Sequence, residues 1–314
     1  MNGVLRRLVG TSTVAAVSDD RRPLVSSAPE MVREAVAGVL GEPVVGERAA
    51  EAGFTPSIAS LVVGRSGARL FVKAAPVGDG LGEAVEAGAV LADAAGDLGP
   101  RLVDAVACGE WRIAAYEVVD GGPVDQWSAA DVDELLRVAD RMRERLDPCP
   151  IGGVRPYAHD FVPLLGQWAT LGMRRPPPIS VPVARLAELE ARWTAVLAPG
   201  VALHHGDLRR DNIIREPGGR LRIVDWTHLW TAPGWTDLVR LLPDLALCGH
   251  DPEAVLRRSC WRDTPAEDVN VALAGLAGRA WRDCALPGRP RLRTMQREQA
   301  EQLLSWLDTR LGRG

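Results

Sequence analysis

Asp207, Asn212 and Asp225 are the residues whose types and spacing point most directly to chemistry. Asp207 follows His204-His205-Gly206 and opens the run Asp207-Leu208-Arg209-Arg210-Asp211-Asn212. A carboxylate in such a loop could accept the proton of a hydroxyl as it attacks a phosphoryl group, or orient that hydroxyl. Asn212 and Asp225 offer an amide oxygen and a carboxylate, hard oxygen ligands that suit Mg²⁺ held together with phosphate groups. Two short apolar runs, 213–215 and 221–224, flank Glu216-Pro217-Gly218-Gly219 and predict a β-hairpin. With the turn centred between the two glycines, Asn212 and Asp225 emerge side by side at its end. His205 reads as a brace for this loop by hydrogen bonding.

A second chemical signal comes from composition. Of 37 Lys plus Arg residues, Lys73 alone is lysine. A compact ammonium on a flexible stem fits between phosphates and a carboxylate where a planar guanidinium fork would not. Lys73 lies in the third of three branched, apolar stretches, 44–49, 58–63 and 70–74, which predict strands. The loop Gly53-Phe54-Thr55-Pro56-Ser57 joins the first two, and its N–H groups could cover a nucleotide while the ammonium reaches the phosphates. A helix over 81–95 offers Glu83 and Glu86 as the anion for Lys73. Glu86 is preferred, since Val90 and Leu91 follow it at helical spacing as core anchors.

These groups need elements to hold them. Ser26-Ser27-Ala28-Pro29-Glu30 reads as a cap with proline in the first turn of a helix running to about Leu40. Strands are expected at 102–106 and 113–119. Asp120-Gly121-Gly122-Pro123 then breaks the chain and marks a boundary. The organisation expected is a flexible tail over 1–24, a nucleotide-binding part over 25–119 and a catalytic, acceptor-binding part over 120–314. At 314 residues the chain is long enough for two such parts.

The remaining composition narrows the class. A net charge of −4 with 46% hydrophobic and 25% charged residues is that of a globular protein, without the basic face a nucleic acid or anionic membrane would require. No run reaches the roughly 18 apolar residues of a membrane helix. The start, 1–17, with Arg6 and Arg7 ahead of a weakly apolar stretch, only loosely imitates a signal peptide. Five scattered cysteines without a CxxC pair fit reduced thiols, and a cytoplasmic location is expected.

From about Glu42 to Leu242 the sequence resembles the aminoglycoside phosphotransferase and choline kinase group of kinase-like enzymes. The likeness is carried in order by the loop 53–57, Phe71-Val72-Lys73, a helix glutamate, the segment Tyr116-Glu117-Val118-Val119, His205-Gly206-Asp207 to Asn212, Ile223-Val224-Asp225-Trp226, and Asp237 in Trp235-Thr236-Asp237-Leu238. It implies an α+β, two-lobed protein kinase-like fold with ATP between a small antiparallel-sheet lobe and a larger, mainly helical one. It also implies Asp207 as catalytic base, Asn212 and Asp225 as magnesium ligands, and Lys73 on the α- and β-phosphates. Glu86 and Ser57 belong to the nucleotide site, and the backbone near Glu117 and Val119 meets adenine. Asp237 corresponds to a structural aspartate. His205-Gly206-Asp207 in place of HRD, Asp225-Trp226-Thr227 in place of DFG, and the lack of an APE segment separate the chain from eukaryotic-type protein kinases. Ser57 stands where many relatives have glycine.

The expected activity is ATP- and Mg²⁺-dependent transfer of the γ-phosphoryl group to a hydroxyl of a small molecule, an antibiotic or metabolite. A polycationic acceptor would need surplus carboxylates, yet 124–314 holds 25 acids against 26 arginines. Trp226, Trp230 and Trp235, and the proline-rich stretch 148–182, suit a larger or more apolar acceptor, the latter as a surface insertion bordering its site. The alternatives are a Ser/Thr kinase acting on a ribosomally made precursor peptide, alone or with a partner protein, and a non-catalytic pseudokinase scaffold.

Overall fold

The computed structural model describes residues 22–50 and 55–312. The signal-like start, most of the expected tail, Gly53 and Phe54 lie outside the described residues. The chain divides into two compact units. One comprises the described residues up to Gly121 together with Arg222–His228; the other comprises Gly122–Leu221 and the chain from Leu229 onward.

The first unit is built on a five-stranded antiparallel sheet in the order β1-β2-β3-β5-β4, from Val44–Ala49 (β1), Ile58–Gly64 (β2), Arg69–Pro76 (β3), Leu102–Cys108 (β4) and Trp111–Tyr116 (β5). Alternation sends successive side chains to opposite faces. Val72, Ala74, Ile113 and Ala115 meet Val32 and Val36 of the helix Glu30–Leu40 (α1) on one face. Ala75, Ala114 and Tyr116 meet Val85 and Ala92 of the helix Leu81–Ala95 (α2) on the other. Pro29 is the N-cap of α1, one position earlier than the first-turn place expected of it, because a short 3₁₀ turn at Val25–Ser27 precedes the helix. Strand β5 ends at Tyr116, so Glu117 and Val119 lie in the loop after it.

Residues 222–228 were expected with the catalytic part, but they belong to the first unit. Arg222 holds them there. Its guanidinium donates to Gly99 O and, at 2.8 Å, to Glu117 Oε1. Trp226 packs where glycines leave room, since a Cβ at Gly88 would lie 2.7 Å from Trp226 O and one at Gly99 would lie 3.0 Å from Trp226 Nε1.

The second unit is mainly helical. Its helices are Ala129–Leu146 (α3), Tyr157–Phe161 (α4), Trp168–Arg174 (α5), Val183–Ala191 (α6), Trp193–Leu197 (α7), Thr236–Ala246 (α8), Pro252–Arg258 (α9), Ala266–Asp283 (α10) and Pro290–Leu311 (α11). Short strands Gly122–Pro123 (β6), Arg155–Pro156 (β7), Ala202–His204 (β8), Ile213–Arg215 (β9) and Trp230–Ala232 (β11) stand between them, while Leu221–Ile223 (β10) begins here and runs on into the segment of the first unit. β11 pairs antiparallel with β8 and parallel with β7, and β6 pairs antiparallel with β9. Within α10 every residue from Val269 to Gly278 is buried. A run without a polar face is the pattern of a central helix.

After β9 the turn departs from a regular two-residue hairpin. Glu216 N–H donates to Arg220 O, Gly219 N–H donates to Glu216 O at 2.8 Å, and Gly219 takes φ 83°. This is a three-residue loop with a glycine bulge, centred on Gly218. It moves the register one residue from that of a regular turn centred between Gly218 and Gly219.

Candidate active site

In the first unit the lysine ammonium donates to Asp225 Oδ1, across 152 residues of sequence. Lys73 sits opposite Ala114 in the β3–β5 register, on the sheet face that α2 covers. Asp225 has φ 67°, a left-handed conformation that costs a residue with a Cβ. Strain of this kind collects at functional positions. Tyr116, at the end of β5, is buried beside this pair, and burial together with the Asp225 charge pushes its phenol upward.

Glu86 does not hold Lys73. Its carboxylate accepts from Arg112 Nε at 2.9 Å. Arg112 pairs with Ala75 in the register and so rises from the same sheet face as Lys73, where a guanidinium competes for the same helix. Glu83 accepts from Gly78 N–H at 3.1 Å instead. Ser57 lies just before β2, with its hydroxyl 3.5 Å from that of Thr55. Glu117 is held by Arg222, Arg101 and the Arg101 N–H, which keep its carboxyl low although burial acts in the opposite direction. Val119 is half-buried in the following loop.

In the second unit the loop from His204 to Asn212 is held residue by residue. Asp207 N–H donates to His205 Nδ1 at 3.2 Å, the bracing role expected of that histidine. Asn212 Nδ2 donates to Asp207 O at 2.8 Å, which fixes the orientation of the amide. Gly206 takes φ 77°, and a Cβ there would stand 2.7 Å from the Trp230 ring. Glycine meets both demands at once.

Helix α8 supplies the rest. It is buried from Thr236 to Leu245, yet Asp237, Arg240 and Asp244 sit at helical spacing on one stripe. Asp237 accepts from the N–H groups of His205 and Gly206 at 2.8 and 3.0 Å and pairs with His204 Nδ1 at 3.0 Å. Burial would raise its carboxyl, but His204 and these donors outweigh burial and bring it down to about 2. Arg240 Nη2 lies 3.3 Å from Asp207 Oδ1. Asp244 accepts from Arg210 N–H at 2.8 Å, and burial pushes its carboxyl up to about 6. Arg209 meets the other Asp207 oxygen at 3.2 Å and is itself pinned by Asp211. Sequence reasoning missed Arg209, Arg240 and Asp244. The signal for the last two was three charged residues spaced three and four apart in an otherwise apolar helix.

The donor set suits magnesium brought in with phosphates. Among the described residues no three His, Cys, Asp or Glu side chains gather as a metal cage, and a nucleotide-bound magnesium needs only one or two protein oxygens. No helix among the described residues is long and apolar enough to cross a membrane.

No protein-family model and no curated protein matches the sequence. Solved structures do match. A thermostable mutant of aminoglycoside phosphotransferase APH(4)-Ia, in a ternary complex with AMP-PNP and hygromycin B, is 13% identical over 91% of this chain and 99% of its own, with a TM-score of 0.57. The choline kinase LicA from Streptococcus pneumoniae is 14% identical over 88% and 98%, with a TM-score of 0.56. An aminoglycoside phosphotransferase from Alicyclobacillus acidocaldarius is 14% identical over 86% and 92%, with a TM-score of 0.53. The fold is therefore the α+β, two-lobed kinase-like one that the resemblance implied.

Proposed function

We propose that this chain is an ATP- and Mg²⁺-dependent phosphotransferase that moves the γ-phosphoryl group of ATP to a hydroxyl of a small molecule. The observation that carries the reading is the ion pair between the sole lysine and Asp225, with Asp225 in a left-handed conformation. A cation that would meet phosphates and an anion that would meet their counter-ion are already brought together by β3 and the segment 222–228.

In this reading Lys73 binds the α- and β-phosphates. Asn212 and Asp225 would hold magnesium, which supplies charge neutralisation on the phosphate oxygens. Asp207 accepts the hydrogen of the acceptor hydroxyl and orients its oxygen toward phosphorus. That oxygen forms the new P–O bond, the bond from the γ-phosphorus to ADP breaks, and the hydroxyl proton passes to Asp207. Ser57 and the backbone near Glu117 and Val119 are the proposed nucleotide contacts. The AMP-PNP in a similar structure supports ATP as donor, and choline kinase and hygromycin-bound neighbours support a small acceptor. The even balance of acids and arginines over 124–314 argues against a polycation.

The test is ADP release from Mg·ATP across a panel of hydroxyl-bearing molecules, with mass spectrometry for one added phosphoryl group. Asp207→Ala should lower kcat about 10²- to 10⁴-fold and Asp225→Ala should abolish turnover, both with the fold intact by circular dichroism. Turnover surviving Asp225→Ala, or a wild-type chain that binds no nucleotide, would defeat the reading.

A further inference from the structure

Asp207 differs from an ordinary loop carboxylate in what surrounds it. Arg240 Nη2 donates to one oxygen at 3.3 Å, and Arg209 Nη2 forms an ion pair with the other at 3.2 Å. The two cations are not equivalent. Arg209 belongs to the loop and shares its fork with Asp211. Arg240 belongs to α8, its side chain is 8% exposed, and its other terminal nitrogen donates to Tyr157 Oη at 3.3 Å. Burial holds that phenol in its neutral form by pushing it up to about 12, although the neighbouring guanidinium groups of Arg240 and Arg279 pull it down.

Arg240 is poorly explained as a stabilising group. Its Nε–H is buried and finds no acceptor among the described residues. A buried guanidinium with an unmet donor is a cost that an apolar residue at this position in α8 would avoid. What it does hold is one oxygen of one carboxylate, from a helix whose neighbouring stripe residues grip the N–H groups of His205, Gly206 and Arg210.

We infer that Arg240, backed by Tyr157, is a positioning residue that fixes the carboxylate plane of Asp207 toward the acceptor hydroxyl. This rests on the phosphotransferase reading. The Arg240 hydrogen bond and the Arg209 ion pair set the rotation of the carboxylate and turn one oxygen to the acceptor. The one turned to the acceptor takes up the hydroxyl hydrogen as the hydroxyl oxygen bonds to the γ-phosphorus and the bond to ADP breaks. Misplacement of about 1 Å in such a step costs up to about 10²-fold.

The experiment is steady-state ADP release by the full chain from Mg·ATP. Arg240→Met should lower kcat roughly 10- to 100-fold with KM for ATP within about twofold of wild type. Arg240→Lys should recover part of that kcat, because a cation returns without the fork. Tyr157→Phe removes only the hydroxyl that steadies Arg240 and should lower kcat by a smaller factor, again without moving KM. Wild-type kcat in Arg240→Met, or a loss expressed in KM for ATP, overturns the inference while leaving the phosphotransferase reading in place. If Arg240→Met does not fold, Tyr157→Phe decides: unchanged kcat overturns the inference and lowered kcat with unchanged KM supports it. A wild-type chain that releases no ADP overturns both.

Discussion

The two regions that carry the proposed chemistry hold their charges in opposite ways. In the first unit one ammonium faces one carboxylate, and the carboxylate side chain is 43% exposed. In the second unit one carboxylate, 31% exposed, faces two guanidinium groups that are 13% and 8% exposed, and a buried helix stripe holds the loop that bears it. A pair whose carboxylate is partly solvated is more strongly screened. In the proposed reaction it would be exchanged for phosphates and their cation. A network with several largely buried anchors is preorganised and costs stability to break. In the proposed reaction the first pair would meet the donor nucleotide and the held carboxylate would meet the acceptor.

Of the three substitutions that probe this contrast, Lys73→Arg tests the exchangeable side and carries the largest effect. If the first unit needs a small cation that moves from Asp225 to phosphates, a rigid fork bound bidentately to Asp225 should lower kcat/KM for ATP roughly 10- to 100-fold. Initial rates against ATP concentration check this. Unchanged ATP kinetics would remove the significance given to the only lysine.

How much of this was legible follows from which interactions are local. The strand carrying Lys73 and the helix 81–95 announce themselves by short apolar runs and helical spacing, and the loop 204–212 by its residue types. The partner of Lys73 was not legible. In a chain whose cations are otherwise all arginine, a helix glutamate such as Glu86 has guanidinium competitors, and only the register that sets Arg112 on the same face decides between them. The hairpin turn slipped by one residue because Gly219 adopts a bulge that two adjacent glycines permit but do not dictate. Arg240 and Asp244 were overlooked because charges on a helix normally mark its solvent face, whereas here the solvent-like face is another segment's backbone.

Gly206→Ala tests the fixed side. A Cβ at φ 77° and 2.7 Å from the Trp230 ring strains the backbone and forces the ring or the loop to shift. The expected loss is about 2 kcal/mol, or roughly 5 °C in Tm. A melting temperature within about 1 °C of wild type would show that the loop is looser than its hydrogen bonds indicate.

The smallest effect concerns what the scaffold itself costs. Burial raises Asp244 to about 6, against the pull of the Arg210 N–H and the Arg210 charge and aided by Asp211. Its folded value therefore lies above the ordinary 3.8 of an unfolded aspartate. A group raised in this way contributes stability that is fully present below about pH 3.8 and is lost as pH rises through about 6. At pH 8 the second region then carries a buried charge that it would be more stable without. Asp244→Asn keeps an oxygen for Arg210 N–H and removes that charge. Thermal melts should show a gain of about 1 kcal/mol, or roughly 2 to 4 °C, at pH 8 and none at pH 4. A gain of the same size at both pH values would contradict the titration. A loss at pH 8 would mean that Arg209 and Arg210 compensate the charge fully, and the second unit would then owe its rigidity to ion pairing instead of bearing a cost for it.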